Sequence, residues 1–148
     1  MVFLNILTTA CIGLLIGTEF AVSVFINPIL ERLDTGTRVK LISYFAKRLG
    51  AAMPFWYALS ALLLLAQAAI HRHDSSESLL IAAGVLWLAV IVLTLIFLVP
   101  INNRMIRLQP GSSAQASLAE HSRWELLHRG RVATLTAAMV CFLIAVLR

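Results

Sequence analysis

The sequence predicts an all-α protein that crosses a membrane as a four-helix bundle, and three observations carry that prediction. Hydrophobic residues make up 60% of the 148 positions and charged residues only 13%, against about 45–50% and about 25% in soluble domains. A globule of this size cannot hide such an excess of apolar side chains. The chain also contains four long apolar runs, and its basic residues lie almost entirely in two of the three connections between them. We therefore expect a single integral-membrane domain.

The four predicted spans are residues 2–26, 49–70, 79–99 and 128–147. About 20 apolar residues cross the roughly 30 Å of hydrocarbon, and the first three runs reach that length. The last run, residues 132–147, is shorter, so its helix is expected to begin earlier, near His128. The first run has no Lys or Arg before it and is long for a signal peptide, so we expect it to remain as a span.

The basic residues predict the orientation of the bundle. Ten of the twelve Lys and Arg residues fall in the first and third connections, which the positive-inside rule places in the cytoplasm. Both the N and the C terminus are then outside, in a multi-pass protein of the cell (inner) membrane. Because the net charge of +5 is explained as a topology signal, we expect membrane lipid and no nucleic acid as a partner.

The first connection carries its own amphipathic pattern. Apolar residues recur there at steps of three and four between Lys40, Ser43 and Lys47. This spacing predicts a short amphipathic helix that lies on the cytoplasmic surface of the membrane and leads into the second span.

Two groups of potential metal or redox residues are expected to be structural. His71 and His73 lie near Asp74 and Glu77 in the second connection, but a two-His spacing of this kind is common by chance, and a solvated loop is the better interpretation. The two cysteines lie inside predicted spans, where a thiol commonly serves as a small packing residue. We therefore expect no metal and no disulfide framework.

Glu19 is the residue that most needs an explanation. It lies about 12 Å below the cytoplasmic end of the first span, because eight helical residues separate it from Asn27. Ser23 and Asn27 follow on the same helix face. Ionisable residues at such depth usually face the interior of the bundle or a polar cavity. The alternative is purely structural, with Glu19 protonated or paired with a basic residue.

The segment RWELLHRGRV, residues 123–132, brings a second polar stripe to the same level. Trp124, His128 and Arg131 share one helix face. Asn102 and Asn103 close the third span on that side. Two of them also have simpler explanations: Trp124 can be an interfacial anchor, and Arg131 can be a topology signal. Together they predict a polar pocket near the cytoplasmic face, whereas the opposite end of the bundle offers almost no polar groups.

These elements resemble a known family. An acidic residue in GTEF, Pro28 after the first span, PINNR closing the third, and W-x-x-x-H-x-x-R opening the fourth are similar to the anthrone oxygenase-like family of small four-span membrane proteins. The resemblance implies the activity of its fungal members, which oxidise anthrones to anthraquinones with molecular oxygen and without a metal or flavin. It implicates Trp124 and His128, with Asn102, Asn103 and Arg131 as their neighbours.

The chemistry of such a reaction suggests roles for these residues. Neutral His128 could remove a proton from the acidic CH2 of an anthrone, with Glu19 orienting the imidazole or taking the proton onward. Asn102, Asn103 or Arg131 could stabilise the developing enolate oxygen, and Trp124 could stack on the rings. Asn27 completes the predicted substrate-binding set. We expect no cofactor and a small lipophilic aromatic ligand.

Two other classes of function stay open at this stage. A small-molecule or cation transporter could use Glu19, although the long connections and the one-sided charge argue against it. A non-catalytic membrane protein could instead bind lipid or a partner subunit through its arginines. A homo-oligomer is compatible with either interpretation.

Overall fold

The computed structural model describes residues 2–107 and 114–148, with the side chains of the last helix described from residue 118. The described part forms four helices: α1 (Val2–Glu31), α2 (Thr35–Ile70), α3 (Glu77–Ile106) and α4 (Ala114–Leu147). Each is long and apolar enough to cross a membrane, and the described residues contain no strand. The prediction of an all-α protein with four candidate spans is therefore confirmed. The sidedness of the termini stays a prediction, as do the positions of the membrane boundaries along the helices.

The helices are arranged around a square. α1 packs on α2 and α4, and α3 packs on the same two helices, whereas no Cα of α1 lies within 8 Å of a Cα of α3 among the described residues. Large apolar side chains fill the centre, including Ile12, Leu15, Trp87, Leu135 and Phe142. One face of each largely apolar span thus supplies the core that holds the bundle together.

The outer face of the bundle is also apolar. Phe55 is 80% exposed, and Leu62 and Leu126 are similarly uncovered. A monomeric soluble protein rarely exposes apolar patches of this extent. Because hydrocarbon solvates these side chains and helices satisfy their own backbone hydrogen bonds, the surface fits a bilayer.

The first connection differs from its sequence prediction. Residues 35–49 do not form a separate short helix but are the start of α2, which runs without a break to Ile70. Asp34 begins this helix by accepting a hydrogen bond from the Thr37 N–H at 3.0 Å. The apolar positions pack on protein, since Ile42 and Ala46 are buried with Ile101 and Met105 of α3. Contact of this segment with the membrane surface stays a prediction.

Each of α1 and α3 contains a π-helical turn just before a proline. The turns are Val22–Ile26, followed by Pro28, and Thr94–Leu98, followed by Pro100. A proline has no N–H to donate and its ring crowds the carbonyl four residues earlier. A wider turn relieves that crowding and changes the direction of the side chains beyond it. Both irregular turns lie at the level of the polar residues described next.

Candidate functional site

Glu19 points into the bundle and is only 3% exposed. The Tyr57 hydroxyl of α2 donates to its Oε1 at 2.9 Å, and the Arg131 guanidinium of α4 donates to its Oε2 at 2.6 Å. Three helices therefore meet at one carboxylate. A buried charge of this kind requires such a partner, because an unpaired carboxylate in an apolar interior is very unfavourable.

His128 completes this arrangement from α4. Its Nε2 lies 3.0 Å from the main-chain oxygen of Glu19, and its Nδ1 lies 2.8 Å from the Arg131 guanidinium. Since a guanidinium only donates, the hydrogen-bond pattern assigns Nδ1 as the acceptor and Nε2 as the donor. Nδ1 is also 3.1 Å from Glu19 Oε2, so a proton gained by Nδ1 would be shared with that carboxylate. We call Glu19, Tyr57, His128 and Arg131 the charged cluster.

Aromatic rings fix the orientation of the charged cluster. Trp124 stacks on His128 with ring centroids 4.5 Å apart and an angle of 12° between the planes. His121 lies parallel to Trp124 one turn earlier, at 6.1 Å. The Arg131 guanidinium lies 5.7 Å from the centroid of the Tyr57 ring. Stacking and cation–π contacts of this kind contribute on the order of 1 kcal/mol each.

A cavity of about 470 Å³ lies beside the charged cluster, within the range of about 300–1,000 Å³ of small-molecule sites. The charged cluster forms part of its wall. The remaining lining residues come from all four helices and are mainly apolar: Thr18, Val22, Leu49, Gly50, Met53, Pro54, Ala58, Ile91, Thr94, Leu95, Leu98, Val99, Asn102, Asn103 and Trp124. The site is thus an apolar chamber with ionisable groups at one wall.

The structure brings most of the predicted site residues to this cavity. Six of the seven line it: Glu19, Asn102, Asn103, Trp124, His128 and Arg131. Asn27 does not line it. It is buried beside a smaller cavity of about 40 Å³, next to His121, and its Nδ2 has no hydrogen-bond partner among the described residues. The binding and catalytic roles assigned to these residues stay predictions.

Asn102 is placed by a close approach of two helices. Its Nδ2 donates to the main-chain oxygen of Ala46 at 3.1 Å, and a Cβ added to Gly50 would lie 2.7 Å from that same nitrogen. Glycine at position 50 therefore leaves the room that Asn102 needs. The hydrogen bond from Asn102 to Ala46 connects the basic end of α3 to α2 at the edge of the cavity.

Sequence reasoning missed Tyr57. It lies in an apolar run of α2, and nothing in the spacing of that run distinguishes a tyrosine that meets Glu19 from one at the membrane interface. It also missed Thr94, which lines the cavity and whose hydroxyl is buried without a partner among the described residues.

The opposite end of the bundle was expected to be almost free of polar groups, and this expectation was wrong. Gln67 is fully buried there, and its Nε2 donates to Asn5 Oδ1 at 2.9 Å and to Thr8 Oγ1 at 3.3 Å. We call Asn5, Thr8 and Gln67 the neutral cluster. Uncharged polar residues that pair between α1 and α2 were overlooked because each alone is unremarkable in a membrane helix.

Potential metal ligands are dispersed in the described part of the chain. His71 Nδ1 lies 3.1 Å from Asp74 Oδ2, and no group of three or more His, Cys, Asp or Glu residues is close enough to hold a metal ion within residues 2–107 and 114–148. Both cysteines are free thiols. The expectation that the protein uses no metal or other cofactor stays a prediction.

The helices, their apolar surface and the interior chamber define a multi-pass membrane protein with an interior cavity. A family model described as anthrone oxygenase matches residues 43–141, about two thirds of the chain, and the protein belongs to this family. The match includes 16 of the 19 residues that line the cavity. It begins after Glu19, which the fold brings to His128. No curated protein matches the chain, and no solved structure does so.

Proposed function

We propose that this protein binds a flat, lipophilic aromatic molecule in the cavity and oxidises it with molecular oxygen, as the name of its family implies. One observation carries the proposal: ionisable groups from three helices converge on the wall of an otherwise apolar chamber of about 470 Å³. Such a chamber favours a tricyclic aromatic ligand by burial, while the few polar groups orient it. The suitable substrate class is a phenolic anthrone, which is planar and has one weakly acidic CH2.

The first step of the proposed reaction is removal of a proton from that CH2. His128 Nδ1 accepts the proton, and the resulting imidazolium is stabilised by the Glu19 carboxylate 3.1 Å away and by the face of Trp124. Trp124 has a histidine ring on each side, so its role in this proposal is to hold His128, with only its edge available to the ligand. Nδ1 accepts a hydrogen bond from Arg131 in the free protein, and substrate has to replace that contact.

Arg131 is suited to stabilise the anion that forms. Its Nε–H is buried and has no hydrogen-bond partner among the described residues, although its terminal nitrogen is engaged by Glu19. A donor aimed at a developing enolate oxygen in a water-poor site lowers the barrier substantially. In this proposal the carbonyl oxygen of the anthrone accepts from the Arg131 guanidinium, which lines the cavity.

The remaining steps balance without a further reactant. The carbanion transfers electrons to O2 and forms a carbon–oxygen bond, and His128 returns its proton to the peroxide. Loss of water then leaves a carbonyl, so that CH2 and O2 become C=O and H2O. Carbon is oxidised and oxygen is reduced, and the protein ends in its starting protonation state.

Oxygen consumption tests the proposal. Purified protein in lipid nanodiscs should accelerate oxygen uptake and quinone formation from a dihydroxyanthrone above the protein-free rate. We expect Arg131→Gln and His128→Gln to lower this acceleration by about 10²-fold or more. Arg129→Gln is the matched control, because Arg129 is two residues away on α4, 63% exposed and paired with Glu125 outside the cavity. A wild-type rate equal to the protein-free rate refutes catalysis, and anthrone binding without turnover would then assign a binding protein.

Transport of a cation is less well supported than oxidation. A transporter of this type needs a carboxylate that exchanges its proton for the cation. Arg131 already supplies the counter-charge of Glu19 at 2.6 Å, so a lipophilic cation would have to displace a guanidinium that is attached to the same bundle.

The cavity is proposed to lie in the cytoplasmic half of the cell membrane, with both termini outside. The support is the distribution of basic residues, which cluster at the end of the bundle nearest the charged cluster. Alkaline phosphatase fused after Arg148 is expected to be active, since that enzyme matures only outside the cytoplasm. An inactive but stable fusion would reverse the orientation.

A further inference from the structure

The wall of the bundle between α2 and α3 is interrupted. α2 contacts α3 both before and after the π-helical turn Thr94–Leu98, but no Cα of that turn lies within 8 Å of a Cα of α2 among the described residues. The two helices therefore separate over one turn and meet again at the basic end. The gap coincides with the main cavity, which both helices line.

Four cavity-lining residues at this gap are also exposed. They are Pro54 and Ala58 of α2 and Leu95 and Val99 of α3. The two residues of each helix are one turn apart, so the two pairs form edges that face each other across the gap. We call this opening the window. Residues that both line a cavity and are exposed are expected where the cavity reaches the surface, and four of them meet here.

Irregular backbone explains why the helices part at this level. Pro100 cannot donate to the carbonyl of Ile96, and the π-helical turn widens α3 beside it. Pro54 lies inside α2 on the other side of the window. Proline and π-helical turns are recognised causes of bends in otherwise straight helices.

The surroundings of the window are those of a lipid-facing surface. Residues 49–70 of α2 and 78–103 of α3 contain no Asp, Glu, Lys or Arg. The neighbouring side chains Phe55, Leu93 and Ile96 are exposed and apolar. In a bilayer the window would open into hydrocarbon, because a stretch this apolar is stable there and not in water.

Thr94 places an unused hydrogen-bonding group just inside the window. Five other threonine hydroxyls in the helices bond to the carbonyl four residues earlier, those of Thr8, Thr9, Thr18, Thr134 and Thr136. The Thr94 residue lines the cavity, and its hydroxyl is buried and has no partner among the described residues. A buried hydroxyl without a partner is unfavourable, and a ligand oxygen would satisfy it.

We propose that the window is a lateral portal, through which an uncharged lipophile with a hydroxyl or carbonyl oxygen enters the cavity from the bilayer. Thr94 makes its first polar contact. This inference rests on the proposed function only in taking the cavity as the ligand site. The portal adds that the ligand is dissolved in the membrane before it binds. It does not enter from the aqueous phase at the end of the bundle near Asn103.

Binding kinetics under anaerobic conditions test the portal. A dihydroxyanthrone is added to nanodiscs containing the full chain, and quenching of tryptophan fluorescence is followed by stopped flow. We expect the association rate to follow the mole fraction of ligand in the lipid, and to fall about tenfold or more in Ala58→Phe and Leu95→Phe. Ala52→Phe and Leu93→Phe are matched controls on the same helices, because both positions are exposed but do not line the cavity. Rates that follow the free aqueous concentration, or that the window variants leave unchanged, overturn the portal.

A second measurement does not depend on the anthrone. A phospholipid with a diazirine on its acyl chain is photolysed in nanodiscs, and labelled peptides are identified by mass spectrometry. The portal predicts labelling at Met53 and Thr94 inside the cavity, reduced at least about tenfold by Ala58→Phe and unchanged by Ala52→Phe. Labelling without anthrone binding would support the portal and refute the proposed substrate. Anthrone binding without labelling would overturn the portal and leave the proposed function standing.

The role of Thr94 is tested by an isosteric change. Thr94→Val is expected to weaken anthrone binding by about tenfold, the effect of one lost hydrogen bond of about 1.4 kcal/mol. Thr134→Val, which removes only a bond to the Gly130 carbonyl, should leave the affinity unchanged. Equal affinities for Thr94→Val and wild type would exclude Thr94 as a ligand contact.

Discussion

The charged cluster and the neutral cluster are built on the same two helices but differ in what lies beside them. α1 supplies Glu19 to one and Thr8 to the other, about 16 Å apart along the helix. α2 supplies Tyr57 and Gln67. Only the charged cluster adds residues of α4 and faces a large cavity; the neutral cluster lines neither of the two cavities described above.

An unpaired polar atom does not by itself distinguish the two clusters. Arg131 Nε and Gln67 Oε1 are both buried without a partner. The difference is that Arg131 borders space for a ligand, whereas Gln67 is enclosed by helix packing. The comparison indicates that the neutral cluster holds helices together and that the charged cluster also serves a ligand. Two predictions test this distinction directly and two test contacts outside the clusters, from the largest expected effect to the smallest.

Removing the buried carboxylate should have the largest effect. Glu19→Gln leaves the Arg131 guanidinium buried without its counter-charge, and we expect the free energy of unfolding to fall by about 3–5 kcal/mol. Glu31→Gln, at an exposed position of the same helix, should stay within about 0.5 kcal/mol of wild type. Denaturant titration in detergent measures both. The double variant with Arg131→Gln should recover much of the loss; no recovery would mean that the two residues are not energetically coupled.

Measurements of stability and activity on the same variants should distinguish the two clusters. Tyr57→Phe and Gln67→Leu each remove hydrogen bonds between α1 and α2, at a similar expected cost of about 0.6–1.7 kcal/mol. Tyr57→Phe should also lower kcat, by up to about a hundredfold, because Glu19 and His128 lose their alignment. Its KM should change little, since Tyr57 acts through Glu19. Equal activity in the two variants would remove the functional distinction between the clusters.

The edge of the cavity should respond to a single methyl group. Gly50→Ala is expected to displace Asn102 and break its bond to Ala46, offsetting the gain of up to about 1 kcal/mol that alanine brings to a helix. Gly84→Ala has nothing within 4 Å of the new Cβ and should show that gain. Thermal unfolding of the two variants measures the difference. A gain at position 50 equal to that at position 84 would show that Asn102 does not depend on Gly50.

The smallest effect is expected from the exposed contact between Asp34 and Thr37. The hydrogen bond from Thr37 lowers the pKa of Asp34 below its usual value of 3.8. The stabilisation that this contact gives the folded protein is therefore fully present above about pH 4. It is lost as the pH falls through the lowered pKa of Asp34 in the folded state. Asp34→Ala should remove this acid dependence and leave oxygen uptake at neutral pH unchanged. An altered uptake would connect the start of α2 to the cavity.

Much of the fold was predictable because helix formation in a membrane depends on local composition. Four apolar runs of sufficient length indicated four helices, and the basic residues clustered at one end of them. The observed helices are longer than the predicted spans because polar residues, such as those after Pro100 and before His128, are also helical. The amphipathic segment after Asp34 was recognised, but its continuation into α2 depends on packing against α3. Periodicity gives the apolar face and does not say what covers it.

The sequence by itself determined that Glu19 needed a partner and that Trp124, His128 and Arg131 share a helix face, because charge in hydrocarbon and a period of 3.6 residues are local properties. Only the tertiary structure decided that the partner is Arg131, that Tyr57 joins it, that Asn27 faces a different cavity, and that α2 and α3 part at Thr94. These facts depend on how four helices rotate and bend against one another. Contacts between residues more than a hundred positions apart have no counterpart in local spacing.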